Sequence, residues 1–195
     1  MKEGKAFKTR NTIHLNMNEQ YFDNSKRLLR FFEEEDVHSL RGLSEEITRK
    51  AALTRDQALL EEACIAYALC KLVEKPHYSR QPEWKDFKYK IENLLKKNIE
   101  NIPKGSHERD LQQLEGELFF LDKRHGQHVH NELEGARLRT AFLLYESGYS
   151  VSSAAEFAKT NKLELMKYLG NAKTHEFTPL KSINQRLNEL TTALK

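Results

Sequence analysis

The stretch RDQALLEEACIAYALCKLVEK, residues 55–75, decides the fold class. Leu59, Leu60, Ala63, Cys64, Ala66, Tyr67, Ala68, Leu69, Leu72 and Val73 are apolar around most of a helix's circumference, which predicts a central helix and not a surface one. Thr54 with Gln57 three residues on has the spacing of a capping box that opens it, and Pro76 closes it. Such a helix needs other helices around it, and the flanks supply them. Upstream, Tyr21, Ser25, Leu28 or Leu29 and Phe32 repeat at helical spacing into the acidic run Glu33 to Asp36. Val37, Leu40, Leu43, Ile47 and Ala51 continue at steps of three and four as a second helix. Downstream, a polar connector through Pro82 leads to a fourth, amphipathic helix carrying Trp84, Phe87, Ile91, Leu94, Leu95 and Ile99. The expectation is an all-α, multi-helix bundle.

Pro103 and Gly105 lie in the short polar run Ile102 to His107, which places a domain boundary there. Residues 1–103 then form an N-terminal helical bundle and 104–195 a C-terminal helical region. In the latter, Leu111, Leu114, Leu118, Leu121, Val129, Leu133, Ala136, Phe142 and Leu143 trace a helical stripe, broken near Gly126 into two helices. One departure from helical spacing is Thr12 to Met17, where Ile13, Leu15 and Met17 alternate with polar residues. It reads as a short strand or an extended arm against the helices.

Of 195 residues, 38% are hydrophobic and 31% charged, a globular balance rather than a disordered one. The 32 basic and 29 acidic residues leave a net charge of only +3, so attraction to a polyanion must come from local clustering. Cys64 and Cys70 fall on one predicted helix and cannot bridge without unfolding it, which points to free thiols in a reducing cytoplasm. No apolar run follows Lys2, Lys5, Lys8 and Arg10, and no stretch is long enough to span a bilayer, so neither secretion nor a membrane anchor is expected.

Residues 134–170 read as three helical pieces joined by brief turns. The first runs through Arg137, Phe142, Leu143 and Tyr145 to Ser147-Gly148, where glycine can take the left-handed conformation that ends a helix. Ser150 caps a short second helix through Ala154, Ala155, Phe157 and Ala158. The third carries Leu163, Leu165, Met166, Tyr168 and Leu169 up to Gly170. A helix-turn-helix needs a small residue where its helices cross, a role for Ala155. It also needs apolar residues that fix the second helix, here Phe157, Ala158, Leu165, Tyr168 and Leu169. Lys159 falls where such a turn usually carries glycine, a substitution that costs about 1 kcal/mol. Ser152, Ser153, Lys159, Asn161, Lys162, Glu164, Lys167 and Lys173 remain as candidate nucleic-acid contacts, types that reach phosphates and base edges. The bland alternative is a three-helix corner packed on the rest of the core.

The run Tyr149-Ser150-Val151-Ser152-Ser153-Ala154-Ala155-Glu156-Phe157-Ala158, followed by Leu163-Glu164-Leu165-Met166, resembles the small prokaryotic helix-turn-helix antitoxins of the UPF0175 type. The resemblance covers residues 149–169. It implies DNA binding, a regulatory role, and neutralisation of a PIN-type ribonuclease toxin.

Thr178 and Pro179 then open a terminal helix, residues 178–195. Its Leu180, Ile183, Leu187, Leu190 and Leu194 form either a face docked on the same chain or the seam of a homodimer or other protein partner. His125, His128 and His130, near Glu132 and Glu134, have the wrong spacing for one helical face, so no metal site is expected. Glu33 to Asp36, Glu45, Glu46, Glu61 and Glu62 read as solvated helix faces and first turns. No phosphate loop, nucleophile elbow or zinc-protease motif appears, so neither enzyme activity nor a cofactor is expected. The leading expectation is a nucleic-acid-binding regulatory protein. The rival is a helical protein-interaction or scaffolding module, docking through the helix around Trp84 and the C-terminal leucines.

Overall fold

The computed structural model describes the backbone of residues 3–124 and 132–175, and the side chains of 17–76, 78–120 and 132–170. Among the described residues the secondary structure is helical throughout, so the all-α, multi-helix reading holds. The elements are α1 (Glu3–Glu33), α2 (Val37–Thr54), α3 (Gln57–Glu74), the single turn α4 (Pro76–Ser79), α5 (Trp84–Asn101), α6 (His107–Arg124), α7 (Glu132–Glu146), α8 (Val151–Phe157) and α9 (Lys162–His175). The terminal-helix residues 178–195, and His125, His128 and His130, lie outside the described residues.

Three local expectations are corrected. Thr12 to Met17 is neither strand nor extended arm but part of α1. A lone strand would leave its N–H and C=O groups without partners, whereas a helix satisfies them internally. The cap of α3 is Asp56, not Thr54: its Oδ1 accepts from the backbone N–H of Ala58 at 2.9 Å and of Leu59 at 3.1 Å. Thr54 still belongs to α2 and donates its hydroxyl to the Lys50 carbonyl. The chain turns between them at Arg55, which takes a left-handed φ of 55°. Third, Trp84 itself does not stand on an exposed face of the helix read as a docking surface. It is buried against Phe87, ring centroids 5.6 Å apart.

α3 is the axis of the molecule, as its composition requires. Leu59, Leu60, Ala63, Ile65, Ala66, Ala68, Leu69 and Leu72 are all buried, and α2, α6 and α7 pack around them. α1 packs on α2 and α5, and α5 on α6. One hydrophobic cluster runs from Leu28 to Leu165 and takes in residues from both sides of Ile102–His107. Near-complete coverage of α3 has a second consequence. Glu61 and Glu62, read as solvent-facing, are 8% and 0% exposed. They stand on covered parts of the helix, and buried carboxylates need partners.

Two of those partners define a polar layer inside the bundle. Glu62 accepts from the Ser25 hydroxyl at 2.6 Å and from the Asn24 amide at 3.2 Å. Asn98 donates its amide to Ser25 Oγ at 3.0 Å, and its Oδ1 lies 2.9 Å from His107 Nδ1. The His107 ring stacks on Tyr21, whose hydroxyl donates to Asp56 at 2.6 Å. Burial raises the Glu62 carboxyl to about 8 and lowers the His107 imidazole to about 4. No helix among the described residues is long and apolar enough to cross a membrane.

Candidate nucleic-acid interface

The segment singled out in the sequence folds as three helices that pack on one another: α7 against α8, α7 against α9, and α8 against α9. Gly148 ends the α7 turn with φ 105°, the positive value that favours glycine. Ser150 caps α8 by accepting from the Ser153 N–H at 3.1 Å. Removing that oxygen in Ser150→Ala is expected to cost about 1 kcal/mol, read as a lowered urea midpoint with an unchanged slope. Ala154, Ala155 and Ala158 are buried where α8 meets its neighbours. Small side chains there let the backbones approach. The turn that follows is held by Thr160 N–H donating to the Ala155 carbonyl at 2.9 Å and passes through Lys159 at φ 52°.

α9 is then fixed on its inner side. Leu165 is fully buried, and Tyr168 meets Phe142 of α7 edge to face at 5.8 Å. Asn161 caps the helix, its Oδ1 accepting from Leu163 N–H at 2.8 Å and Glu164 N–H at 3.4 Å. The outward edge carries Lys162, Leu163, Glu164, Met166 and Lys167, all exposed. Leu163 and Met166 are 65% and 52% exposed, values that set this edge apart from the core-facing side.

The candidate contacts therefore divide. Ser152, Ser153, Lys162, Glu164 and Lys167 are surface residues of α8 and α9. Ser153 Oγ also lies 2.9 Å from the cap hydroxyl of Ser150. Lys167 pairs with Glu164 at 2.9 Å, an exposed bridge of little strength. Among the described residues Lys162 makes no ion pair. Asn161 serves as a cap. Lys159 turns back toward the bundle and pairs with the nearly buried Glu61. Lys173 lies in the last turns of α9, where its side chain is outside the described residues. Among those that are described, no cluster of histidine, cysteine and carboxylate groups could hold a metal.

What the sequence did not disclose is how firmly α8 is tied to the bundle. Besides the Lys159–Glu61 pair, Gln57 Nε2 donates to the Phe157 carbonyl at 3.3 Å. The Tyr149 hydroxyl donates to the Ala52 carbonyl at 2.7 Å, while its ring stacks on Phe157. α7 adds Arg139 to Glu45 at 3.1 Å and Arg137 to Glu115 at 3.3 Å. Apart from Arg137–Glu115, 22 residues apart, these bonds join positions more than ninety residues apart, beyond any local pattern. The one available signal was Glu61 itself, a carboxylate on a helix apolar around most of its circumference. Comparison with protein-family models, with curated proteins and with solved structures finds no match.

Proposed function

We propose that this chain is a non-catalytic, nucleic-acid-binding regulatory protein of the cytoplasm, and that α9 is its reading helix. The supporting observation is the outward edge of α9. Lys162 and Lys167 stand in solvent on a helix whose opposite side is anchored by Leu165 and Tyr168. A rigid helix edge of that kind can present ammonium groups to phosphates and short polar groups to a groove. Ser152 and Ser153 add hydroxyl donors beside it. The chain's small net charge leaves this local set, and not a long-range field, to hold the polymer. Similarity of residues 149–169 to the UPF0175-type antitoxins supports the same reading and adds a toxin ribonuclease as a protein partner. The cationic edge carries the proposal.

Fluorescence anisotropy on mixed-sequence duplex DNA tests it. Lys162→Ala with Lys167→Ala is expected to weaken binding about tenfold and to make the salt dependence shallower by about 2 in log–log slope, since two phosphate contacts are lost. Circular dichroism should be unchanged. Equal affinity and equal salt slope in the double variant would refute this placement of the site. One observation favours a protein partner instead: Leu163 and Met166 lie exposed on the same edge. Capture of a partner protein that is lost in Met166→Asp, with no DNA binding in any variant, would establish that reading.

A further inference from the structure

Four side chains of the polar layer form one continuous chain of hydrogen bonds across four helices. Glu62 of α3 accepts from the Ser25 hydroxyl of α1 at 2.6 Å. Ser25 Oγ in turn accepts from the Asn98 amide of α5 at 3.0 Å, and Asn98 Oδ1 stands 2.9 Å from Nδ1 of His107, at the start of α6. Glu62, Ser25 and Asn98 are fully buried, and His107 is 5% exposed. The direction of the chain decides where the ring proton sits. Because Asn98 turns its oxygen to the ring, Nδ1 carries the proton and Nε2 holds a bare lone pair. That Nε2 is buried and has no hydrogen-bond partner among the described residues. This direction is the one that an ionised Glu62, an acceptor only, imposes.

Every link in the chain can reverse, because each group can exchange its donor and acceptor roles. A carboxylate that takes up a proton becomes a donor. The contact to Ser25 is shorter than the 3.2 Å contact to Asn24, which favours the proton on the Ser25 side. Ser25 Oγ then accepts from Glu62, and its own hydrogen turns to Asn98. Asn98 meets that hydrogen by turning its amide over, oxygen toward Ser25 and nitrogen toward the ring. A ring nitrogen that faces an N–H must accept, so the ring proton belongs on Nε2. One proton enters from solvent and stays on Glu62. The ring gives its Nδ1 proton to water, takes one at Nε2 and remains neutral. No link of the chain is lost in either direction. The unpaired lone pair at Nε2 is replaced by an N–H in the field of Asp56 and Asp110, both of which raise the ring's affinity for protons.

We infer that this chain is a proton-reading switch: uptake of a proton by Glu62 on α3 is reported on α6 as an exchange of the His107 tautomer, carried by Ser25 and Asn98. It stands apart from the nucleic-acid reading and uses none of its residues. Tyr21 of α1, Lys50 of α2 and the cap residue Asp56 act on Glu62; Tyr21 stacks on His107, Asp56 and Asp110 act on it, and Glu108 acts on Tyr21. Tyr21 donates to Asp56 and Lys50 pairs with Glu46, so neither is a link of the chain. Burial raises the Glu62 carboxyl to about 8 and lowers the His107 imidazole to about 4, so the ring stays neutral while the carboxyl titrates. A tautomer change in that window carries the signal without burying a charged ring.

Nitrogen-15 NMR of the histidine rings in the full chain tests this, with His107 assigned among the eight histidines through its own backbone. The share of the Nε2–H form is expected to fall about tenfold between about pH 6 and about pH 9, with no imidazolium at either end. Glu62→Gln, with no proton to lose, should hold one tautomer ratio across the range. Ser25→Ala should do the same while its Glu62 carboxyl, followed by carbon-13, still titrates. An unchanged His107 tautomer in the parent would overturn the switch, as it would if the Glu62 proton were donated to Asn24 instead. A pH-dependent exchange that persists in Ser25→Ala would refute the route through Ser25.

Discussion

Glu62→Gln is expected to leave the protein nearly as stable as the parent at pH 5 and about 4 kcal/mol more stable, relative to it, at pH 8. Glu62 is fully buried, and burial raises its carboxyl from 4.5 to about 8, with Asp56 adding in the same direction and the Ser25 and Asn24 hydrogen bonds and Lys50 opposing. Unfolded, the carboxyl releases its proton near 4.5; folded, it holds the proton to about 8. The stability it contributes is therefore complete below pH 4.5 and is lost as pH rises toward 8. A glutamine carries no proton to lose. Its oxygen can still accept from Ser25, and its amide can donate to Asn24 Oδ1, a buried atom with no hydrogen-bond partner among the described residues. His107 works in the opposite sense. Burial lowers its imidazole from 6.5 to about 4, against the raising influence of Asp56 and Asp110. Its contribution is complete above pH 6.5 and is lost as pH falls toward 4. Between pH 4.5 and 6.5 the two dependences cancel, so the parent should show a plateau there and decline on both sides. Urea unfolding across pH 4 to 9 checks this. Parallel profiles for the parent and Glu62→Gln would refute the assignment.

Leu165→Ala is expected to cost 2–5 kcal/mol, roughly the range for emptying a fully buried leucine site. The loss should fall mainly on one element. Leu165 is the fully buried side chain of α9 among those described, while Tyr168 and Leu169 are only partly covered. Backbone amides of α9 should lose hydrogen-exchange protection well before those of α3, where Leu59, Leu60, Ile65, Leu69 and Leu72 remain in place. Uniform loss of protection across α3 and α9 would show that the two open as one unit.

Much of the fold was legible in the sequence because apolar spacing is a local property. The stripes of α1, α2, α3 and α5 follow from residues three and four apart, and so do the three pieces of the α7 to α9 segment with the Ser150 cap and the Gly148 stop. Errors arose where one local signal competed with another. Asp56 stands two residues after the capping-box threonine and wins because an extended aspartate beside the left-handed Arg55 reaches two N–H groups at once. Thr12 to Met17 alternates, yet alternation alone cannot supply the second strand. The least legible feature was the polar layer of Asn24, Ser25, Glu62, Asn98 and His107, drawn from four helices and closed only by packing. Its trace was a serine on the apolar row of α1 and two glutamates on a helix apolar around most of its circumference. For the candidate interface, the sequence located the outward edge of α9 but could not tell which lysines were committed elsewhere. Lys159 and Lys162 look alike in sequence, and only long-range pairing separates the one held by Glu61 from the one standing in water.

That pairing bears on any attempt to borrow the segment. Lys159, Gln57 and Tyr149 stitch the turn to parts of the chain that a fragment spanning residues 134–175 would leave behind or sever from their acceptors. Cut loose, such a peptide would keep the packing of α8 on α7 and α9 but lose its bonds to α2 and α3, leaving a left-handed lysine turn with no counter-charge. Grafts that aim to transplant the edge of α9 onto another scaffold must therefore carry the two-helix cradle of α2 and α3 along with it.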